Sequence, residues 1–203
     1  GGAMATPTKT IQTALLALQS VASGAIVIST VLDVSTAFEA ALGIRFGRRA
    51  ATALTVPCYF RIEASFVASG DTNWIPLFTV ASDTAAVEAE AATGTNNAGQ
   101  AVVTVAATAN LADGDFVFID NTTIANSEWK RIKSIVTNTS VTFEENLANA
   151  QSAGAATLYD GANAWALVVP VLSVKRLRVV VDNSGTGQAI AVEVTAITAD
   201  SIG

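Results

Sequence analysis

The chain has 203 residues, of which 51% are hydrophobic and only 14% are charged, and its formal net charge is −6. This acidic balance excludes the basic surface that nucleic-acid binding requires. The absence of histidine and the single cysteine, Cys58, exclude Ser-His-Asp and Cys-His catalysis, internal disulfides and cysteine-based metal clusters. A surface with so few charges is expected to associate with other surfaces.

The N-terminal region predicts a short helix or arm. Residues 1–3 precede the only methionine, Met4, and are interpreted as a remnant of cloning, with no secretory signal after them. Over residues 8–22, Ile11, Leu15 and Leu18 recur at helical spacing. Residues 1–24 are therefore predicted to form a helix or arm that docks either on its own domain or on a neighbouring subunit.

After this segment the apolar period changes from helical spacing to two, which is typical of strands. Residues 25–34 predict a strand with Ile26, Ile28, Leu32 and Val34 on one face. In residues 59–67, Phe60, Ile62, Ala64 and Phe66 alternate with polar residues, so one face should lie on a core and the other in water.

The next segment predicts the hairpin partner of this strand. Residues 70–73 have turn composition, and residues 74–80 are predicted to pair with residues 59–67. Pro76 lacks an N–H donor, which indicates an edge strand or a bulge. Near the C-terminus, residues 174–182 and 189–198 predict two inward-facing strands joined by a turn.

The middle of the chain differs from both flanks. Residues 82–99 predict a loop or linker, and the following short strands have the spacing of a small barrel. These strands are predicted over residues 102–108, 116–120, 129–136, 141–144 and 155–159. Residues 84–160 contain three basic and nine acidic residues, whereas the two flanks are neutral. The sequence thus predicts an inserted acidic barrel at 84–160 within a discontinuous, jelly-roll-like β-sandwich formed by residues 25–83 and 161–203.

Few residues are candidates for chemistry. The acidic segment at residues 113–115, with Asp120 and Asn121, has oxygen ligands that suit calcium, but ordinary turn chemistry explains it better. Glu63 and Asp71 are a weak candidate for a carboxylate pair. We therefore predict no enzymatic activity, no metal and no cofactor.

The three tryptophans and Cys58 have structural interpretations. Trp74, Trp129 and Trp165 lie in apolar strand patterns, which favours packing in a core or interface over a sugar-binding platform. Cys58 is predicted to be a buried small apolar residue. The longest apolar stretch, residues 164–172, is too short to span a bilayer. No membrane partner is therefore expected.

Several segments resemble virion structural proteins of tailed bacteriophages, in particular capsid decoration (cement) proteins. In the flanks, the resemblance is carried by residues 32–35, 60–65, 74–77 and 177–183. In the middle, residues 111–119 and 128–132 resemble a small barrel module that is frequent in phage structural chains. Together these segments are spread over most of the chain.

The resemblance implies a β-sandwich clamp, assembled as a homotrimer, that binds the major capsid protein or another virion protein. Its location would be the virion, assembled in the host cytoplasm. The interface is expected to include Ile11, Leu15, Leu18 and Trp74. The alternatives are a carbohydrate-binding β-sandwich module and a tail or fibre accessory protein.

Overall fold

Strands account for almost all regular structure in the computed structural model, which describes residues 9–70 and 73–200 of the backbone. The side chains of residues 9–13 and 200 are outside the description. The strands are β1 (Lys9–Val21), β2 (Ile26–Ile28), β3 (Leu32–Asp33), β4 (Ala37–Arg48), β5 (Tyr59–Ser65), β6 (Ile75–Ala81), β7 (Ala89–Ala91), β8 (Val102–Thr104), β9 (Phe116–Asn121), β10 (Glu128–Val136), β11 (Ser140–Phe143), β12 (Ala156–Tyr159), β13 (Asn163–Pro170), β14 (Arg176–Asp182) and β15 (Ile190–Asp200). One 3-10 turn, Ile124–Asn126, precedes β10. The predicted all-β fold class is confirmed.

Two antiparallel sheets pack face to face as a sandwich. Sheet A has the strand order β1-β15-β4-β13, and sheet B has the order β2-β14-β5-β6, with β3 also paired to β14. Alternate residues of the central strands β4, β15, β5 and β14 point between the sheets and form one apolar core. This alternation is the period of two that the sequence shows in β5 and β14.

The helix predicted over residues 8–22 is wrong, because Lys9–Val21 form strand β1, which pairs with β15. The register shifts between Gln12 and Leu16 and again between Leu16 and Gln19. Such irregularities insert extra residues and change which side chains face inward. As a result the adjacent residues Leu15 and Leu16 are both buried. The spacing of three to four that resembles a helix arises from a bulged strand.

The single strand predicted over residues 25–34 is also wrong, because the segment divides into β2 and β3. Leu32 is buried, but Ile26 and Ile28 are exposed on the opposite face. The change of face occurs at Ser29, whose N–H donates to the carbonyl of Val179 at 2.9 Å. Its hydroxyl in turn accepts a hydrogen bond from the Val179 N–H at 3.0 Å.

The β5–β6 hairpin is confirmed, and Pro76 lies both on an edge strand and at a register shift, as the sequence indicates. The turn after β14 is not a hairpin, however. The chain crosses there to the other sheet, where β15 lies between β1 and β4. Asn183 fixes this crossing, since its amide donates to the carbonyls of Ala22 and Gln188, both at 2.9 Å.

The middle of the chain forms a third, curled sheet with the order β7-β12-β9-β10-β11-β8. A bridge between Ala92 and Val105 links the two ends of this sheet, so that it curves around a second apolar core. That core takes all its buried members from residues 92–158, whereas the sandwich core takes its members from residues 15–64 and 169–196.

The two chain crossings between the sandwich and the curled sheet lie side by side. The N–H of Glu88 donates to the Asp160 carboxylate at 2.8 Å, and the N–H of Asp160 donates to the Glu88 carbonyl at 3.3 Å. A short linker could therefore replace the whole segment between them. We propose that residues 84–160 are an inserted domain.

Replacing residues 85–160 with a short Gly/Ser linker is expected to leave a folded sandwich, because no buried member of its core comes from that segment. The shortened chain would carry equal numbers of basic and acidic residues and lose its net charge. Circular dichroism and thermal melting would test this expectation against the full chain. An unfolded spectrum would refute the proposed division.

Candidate assembly surface

At the junction between the sandwich and the curled sheet, a side chain of the curled sheet packs on the outer face of sheet A. Phe118 is fully buried, although its neighbours Val117 and Ile119 face the core of the curled sheet. Its ring lies against Gly47 of β4, where a Cβ atom would be 2.5 Å from Cγ of the ring. Glycine therefore leaves the space that this aromatic side chain fills.

Two consecutive arginines hold the same junction. The Arg48 guanidinium is buried and donates to the carbonyls of Thr52 and, at 3.0 Å, Ala85. Burial lowers the pKa of Arg48. Arg49 Nε donates to the Asp120 carboxylate at 2.9 Å. Burial raises the pKa of Asp120, and the ion pair with Arg49 opposes that shift. These contacts attach the segment after β4, the linker that leads into the curled sheet, and β9 to the end of β4.

Beyond this junction, the described residues leave the outer face of sheet A uncovered, and this part of the face consists mainly of small residues. In the register of the sheet, Ala166, Gly43 and Thr195 lie side by side on three adjacent strands. The next row contains Val168 and Ile197, both exposed. Such a flat, weakly polar surface is suited to contact with another surface.

The two sheets of the sandwich have four edges among the described residues, formed by β1, β13, β6, and β2 together with the two-residue β3, and three of these edges are modified in ways that discourage further pairing. β1 has two register shifts, β2 has only three residues, and β6 contains a bulge and Pro76. Bulges, short length and proline are the means by which proteins protect sheet edges.

The fourth edge is formed by β13, which has no bulge and is not short. Its eight residues pair with β4 in an unbroken register. The sequence of β13 contains no charged residue, and its only proline, Pro170, is the last residue. Val168 is 60% exposed, and Trp165 and Leu167 are only half-buried although they face the core. Within the described part of the chain, nothing pairs with the outer side of β13.

A second apolar surface lies at the end of the sandwich where β5 ends and β14 begins. We call it the apolar tip and define it by five exposed side chains: Phe66, Val67, Ile75, Leu77 and Leu172. Leu172 is 84% exposed in the turn between β13 and β14. The tip is held in place by Arg176, which donates to the carbonyls of Val67 at 3.0 Å and Gly70 at 2.5 Å.

The outer face of sheet B carries a network of charges. Arg178 forms an ion pair with Glu63 at 2.7 Å, and Arg61 lies 3.6 Å from the Asp182 carboxylate. A hydrogen bond from Ser184 and the charge of Arg61 lower the pKa of Asp182. Since charged side chains occupy the centre of this face, it is less suited to an apolar contact than the row of Ala166, Gly43 and Thr195 on sheet A.

The predicted interface residues have different positions in the structure. Leu15 lies in the core of its own sandwich, and Leu18 is half-buried on the same strand. The side chain of Ile11 lies outside the described residues. Trp74 is half-buried and stacks on Arg176 and Arg178, with 5.0 and 4.2 Å from guanidinium carbon to ring centroid.

The three tryptophans lie in different parts of the fold. Trp165 contacts Phe60 in the sandwich, with 5.3 Å between ring centroids. Trp129 contacts Phe118 at the junction, with a centroid distance of 5.0 Å. Trp74 is on the outer face of sheet B. They do not form a common platform for a sugar, which disfavours the carbohydrate-binding alternative.

The candidate chemical groups are engaged in ordinary contacts. Asp115 accepts a hydrogen bond from the Ala112 N–H at 2.7 Å, and Asp120 pairs with Arg49. Asp71 lies outside the described residues, so its pairing with Glu63 is not described. Within residues 9–70 and 73–200, no three acidic, histidine or cysteine side chains converge as metal ligands. The prediction for Cys58 is confirmed, and burial raises the pKa of its thiol to about 12.

An open cleft lined by residues of the curled sheet and its turns offers little to a reaction. It has a volume of about 480 Å³ and lies at one end of the curled sheet, and Asp113 is the only ionisable residue in its lining. A single exposed carboxylate has no partner for acid–base or nucleophilic catalysis in this cleft. No helix among the described residues is long and apolar enough to cross a membrane.

Sequence reasoning missed β13 and the outer face of sheet A. The apolar run at residues 164–172 was apparent, but its role as an unprotected edge depends on which strand lies beside it. The small residues of β4 give a further signal, since glycine inside a strand marks the close approach of another group.

No protein-family model and no curated protein match the chain. Among solved structures, it is similar to a chain of infectious bursal disease virus, Gx strain, with 11% identity and a TM-score of 0.26. That match covers 97% of this chain but 41% of the viral chain. VP17, a capsid protein of bacteriophage P23-77, is similar with 12% identity and a TM-score of 0.17, over 96% and 100% of the two chains. Both proteins are viral, but similarity this weak carries no argument for function.

Proposed function

We propose that the chain is a non-enzymatic structural protein of a bacteriophage virion, which binds the capsid as a decoration protein and stabilises it. The observation that carries this proposal is the apolar tip, where large side chains are exposed together on a chain with few charges. Soluble proteins rarely leave such side chains uncovered unless they form an interface. The resemblance of the flanking strands to decoration proteins supports the capsid as the partner.

The proposed protein acts as a homo-oligomer, and the resemblance implies a trimer. An oligomer brings several tips to the capsid lattice at once. Each contact then raises the effective concentration of the next tip, so weak individual contacts give firm attachment overall. Stabilisation follows because a protein that binds only the assembled shell shifts the equilibrium toward that shell.

Changing both Phe66 and Leu172 to Asp is expected to abolish binding to capsids of the phage that encodes the chain. Both side chains are exposed, so the variant should fold normally. Sedimentation of mixtures with capsids that lack the protein would measure the binding. An apolar contact should also persist in about 1 M salt, where surface charges are screened within about 3 Å.

Val136→Asp provides the matched control, because Val136 is a similarly exposed apolar residue in the curled sheet, away from the tip. The control should bind like the wild type. Equal binding by the Phe66→Asp, Leu172→Asp double variant and the wild type would show that the tip is not the capsid contact. Failure of the wild-type chain to sediment with capsids would refute the proposed function.

A further inference from the structure

An unprotected edge strand exposes a row of N–H and C=O groups that another strand can satisfy. β13 presents such a row along the side of sheet A, without the bulges or short length seen at β1 and β2. Pairing there would also cover the exposed parts of Trp165 and Leu167, which the open sandwich leaves half-buried. The apolar contact and the main-chain hydrogen bonds would then act together.

We propose that β13 pairs antiparallel with β13 of a second copy of this chain, so that two sheets A form one continuous eight-stranded sheet. The inference rests on the proposed oligomeric role and specifies its contact. It also predicts a two-fold assembly unit in place of the trimer that the resemblance implies.

A second copy is the favoured occupant for two reasons. A two-fold contact brings the same strand in twice, so a charge on it would be buried twice and would need an opposite charge at the facing position of the other copy. β13 has no charged residue and avoids this penalty. A head-to-tail contact would instead pair β13 with a different edge strand of the second copy, and that strand would have to be long and regular as well. The other three sandwich edges are bulged or only three residues long.

In one register, the side chains of β13 fit those of β13 in the second copy. With the two-fold axis at Ala166, Ala164 lies opposite Val168 of the second copy on the outer face. On the core-facing side, Trp165 lies opposite Leu167 of the second copy. Each Trp165 ring thus faces a leucine and each Val168 faces an alanine, so the two aromatic rings do not compete for the same space.

Two double variants test this register with the same two positions. Ala164→Lys with Val168→Glu places opposite charges across the contact, whereas Ala164→Lys with Val168→Lys places like charges there. Within one chain these positions are about 13 Å apart at the usual rise of a strand. Both side chains are exposed on the outer face, so both variants should fold.

Light scattering after size exclusion, followed by sedimentation over a concentration series, would measure assembly. The wild type and the Lys–Glu variant should be dimers, and the Lys–Lys variant should dissociate with a constant at least about tenfold higher. Melting temperatures would confirm that both variants are folded.

A wild-type trimer or monomer, or a Lys–Lys variant that dimerises like the wild type, would overturn the β13 contact. A trimer would leave the proposed function intact, because capsid binding through the tip is measured separately. A wild-type dimer that fails to bind capsids would support the β13 contact and refute the proposed capsid role.

Discussion

Replacing Leu15 with Asp is expected to unfold the sandwich. Leu15 is 4% exposed and belongs to the sandwich core. The substitution removes apolar contacts and places a carboxylate in an apolar core. The combined cost should be about 3–5 kcal/mol or more. That loss is a large share of the roughly 5–15 kcal/mol that stabilises a typical protein.

Ala17→Asp is the matched control, because Ala17 lies two residues further along β1 and is exposed. Its effect on the free energy of unfolding should stay within about 0.5 kcal/mol. Urea denaturation followed by circular dichroism would compare the two variants. A Leu15→Asp chain that keeps wild-type stability but no longer self-associates would show that β1 docks on a neighbour. The same comparison applies when Leu18 is changed together with Leu15.

The contact between Gly47 and Phe118 is expected to show strong coupling. Phe118→Ala alone should cost about 3–5 kcal/mol, because the ring is fully buried. Gly47→Ala alone should cost about 1–3 kcal/mol, since the new methyl group meets the ring at 2.5 Å. The double variant should be more stable than the sum of these losses implies, because the methyl group enters space that the ring has left.

Gly43→Ala is the control for this double-mutant cycle. Gly43 lies on the same face of β4, but its added methyl group meets only the Thr195 hydroxyl, at 2.6 Å. That side chain is exposed and can rotate away. Gly43→Ala should therefore have a small effect and no coupling to Phe118→Ala. Additive losses at Gly47 and Phe118 would show that the curled sheet does not depend on this contact.

Regular alternation made parts of the fold predictable. In β5 and the first half of β14, large apolar residues alternate with polar ones, and the predicted inward residues Phe60, Ile62, Leu177 and Val179 are all buried. The prediction is wrong for Phe66, which follows the end of β5 and is 51% exposed. Pro76 also indicated its position correctly, since a residue without an N–H group is tolerated at an edge or bulge. These signals depend only on neighbouring residues, so they can be recognised from the sequence without knowledge of the fold.

Strand β4 was not predicted, although it is central to sheet A. Its inward residues Leu42, Ile44 and Phe46 do alternate, but its outward residues include Gly43 and Gly47. Glycine weakens strand propensity and hides the pattern. The reason for Gly47 is the Phe118 ring, which is 71 positions further along the chain. A contact this distant leaves no local sign.

The candidate assembly surface was hard to predict for a related reason. The sequence of β13 shows a run of uncharged residues, but an edge is defined by the absence of a neighbouring strand. That absence follows from the strand order of sheet A, which depends on where β15 enters. The prediction that Ile26 and Ile28 face inward is wrong for a similar reason. The change of face at Ser29 depends on its hydrogen bond with Val179 of β14, which is distant in sequence.

The central position of β15 has a consequence for how the protein forms in the cell. β15 is the last described strand to be synthesised, yet it separates β1 from β4 and supplies hydrogen bonds to both. During synthesis on the ribosome, β1 and β4 are made before β15, so the hydrogen bonds that each forms with β15 cannot yet form. Sheet A can therefore close only after β15 emerges from the ribosome. Pairing between strands so distant in sequence is also slow, which makes the waiting chain a natural client for chaperones.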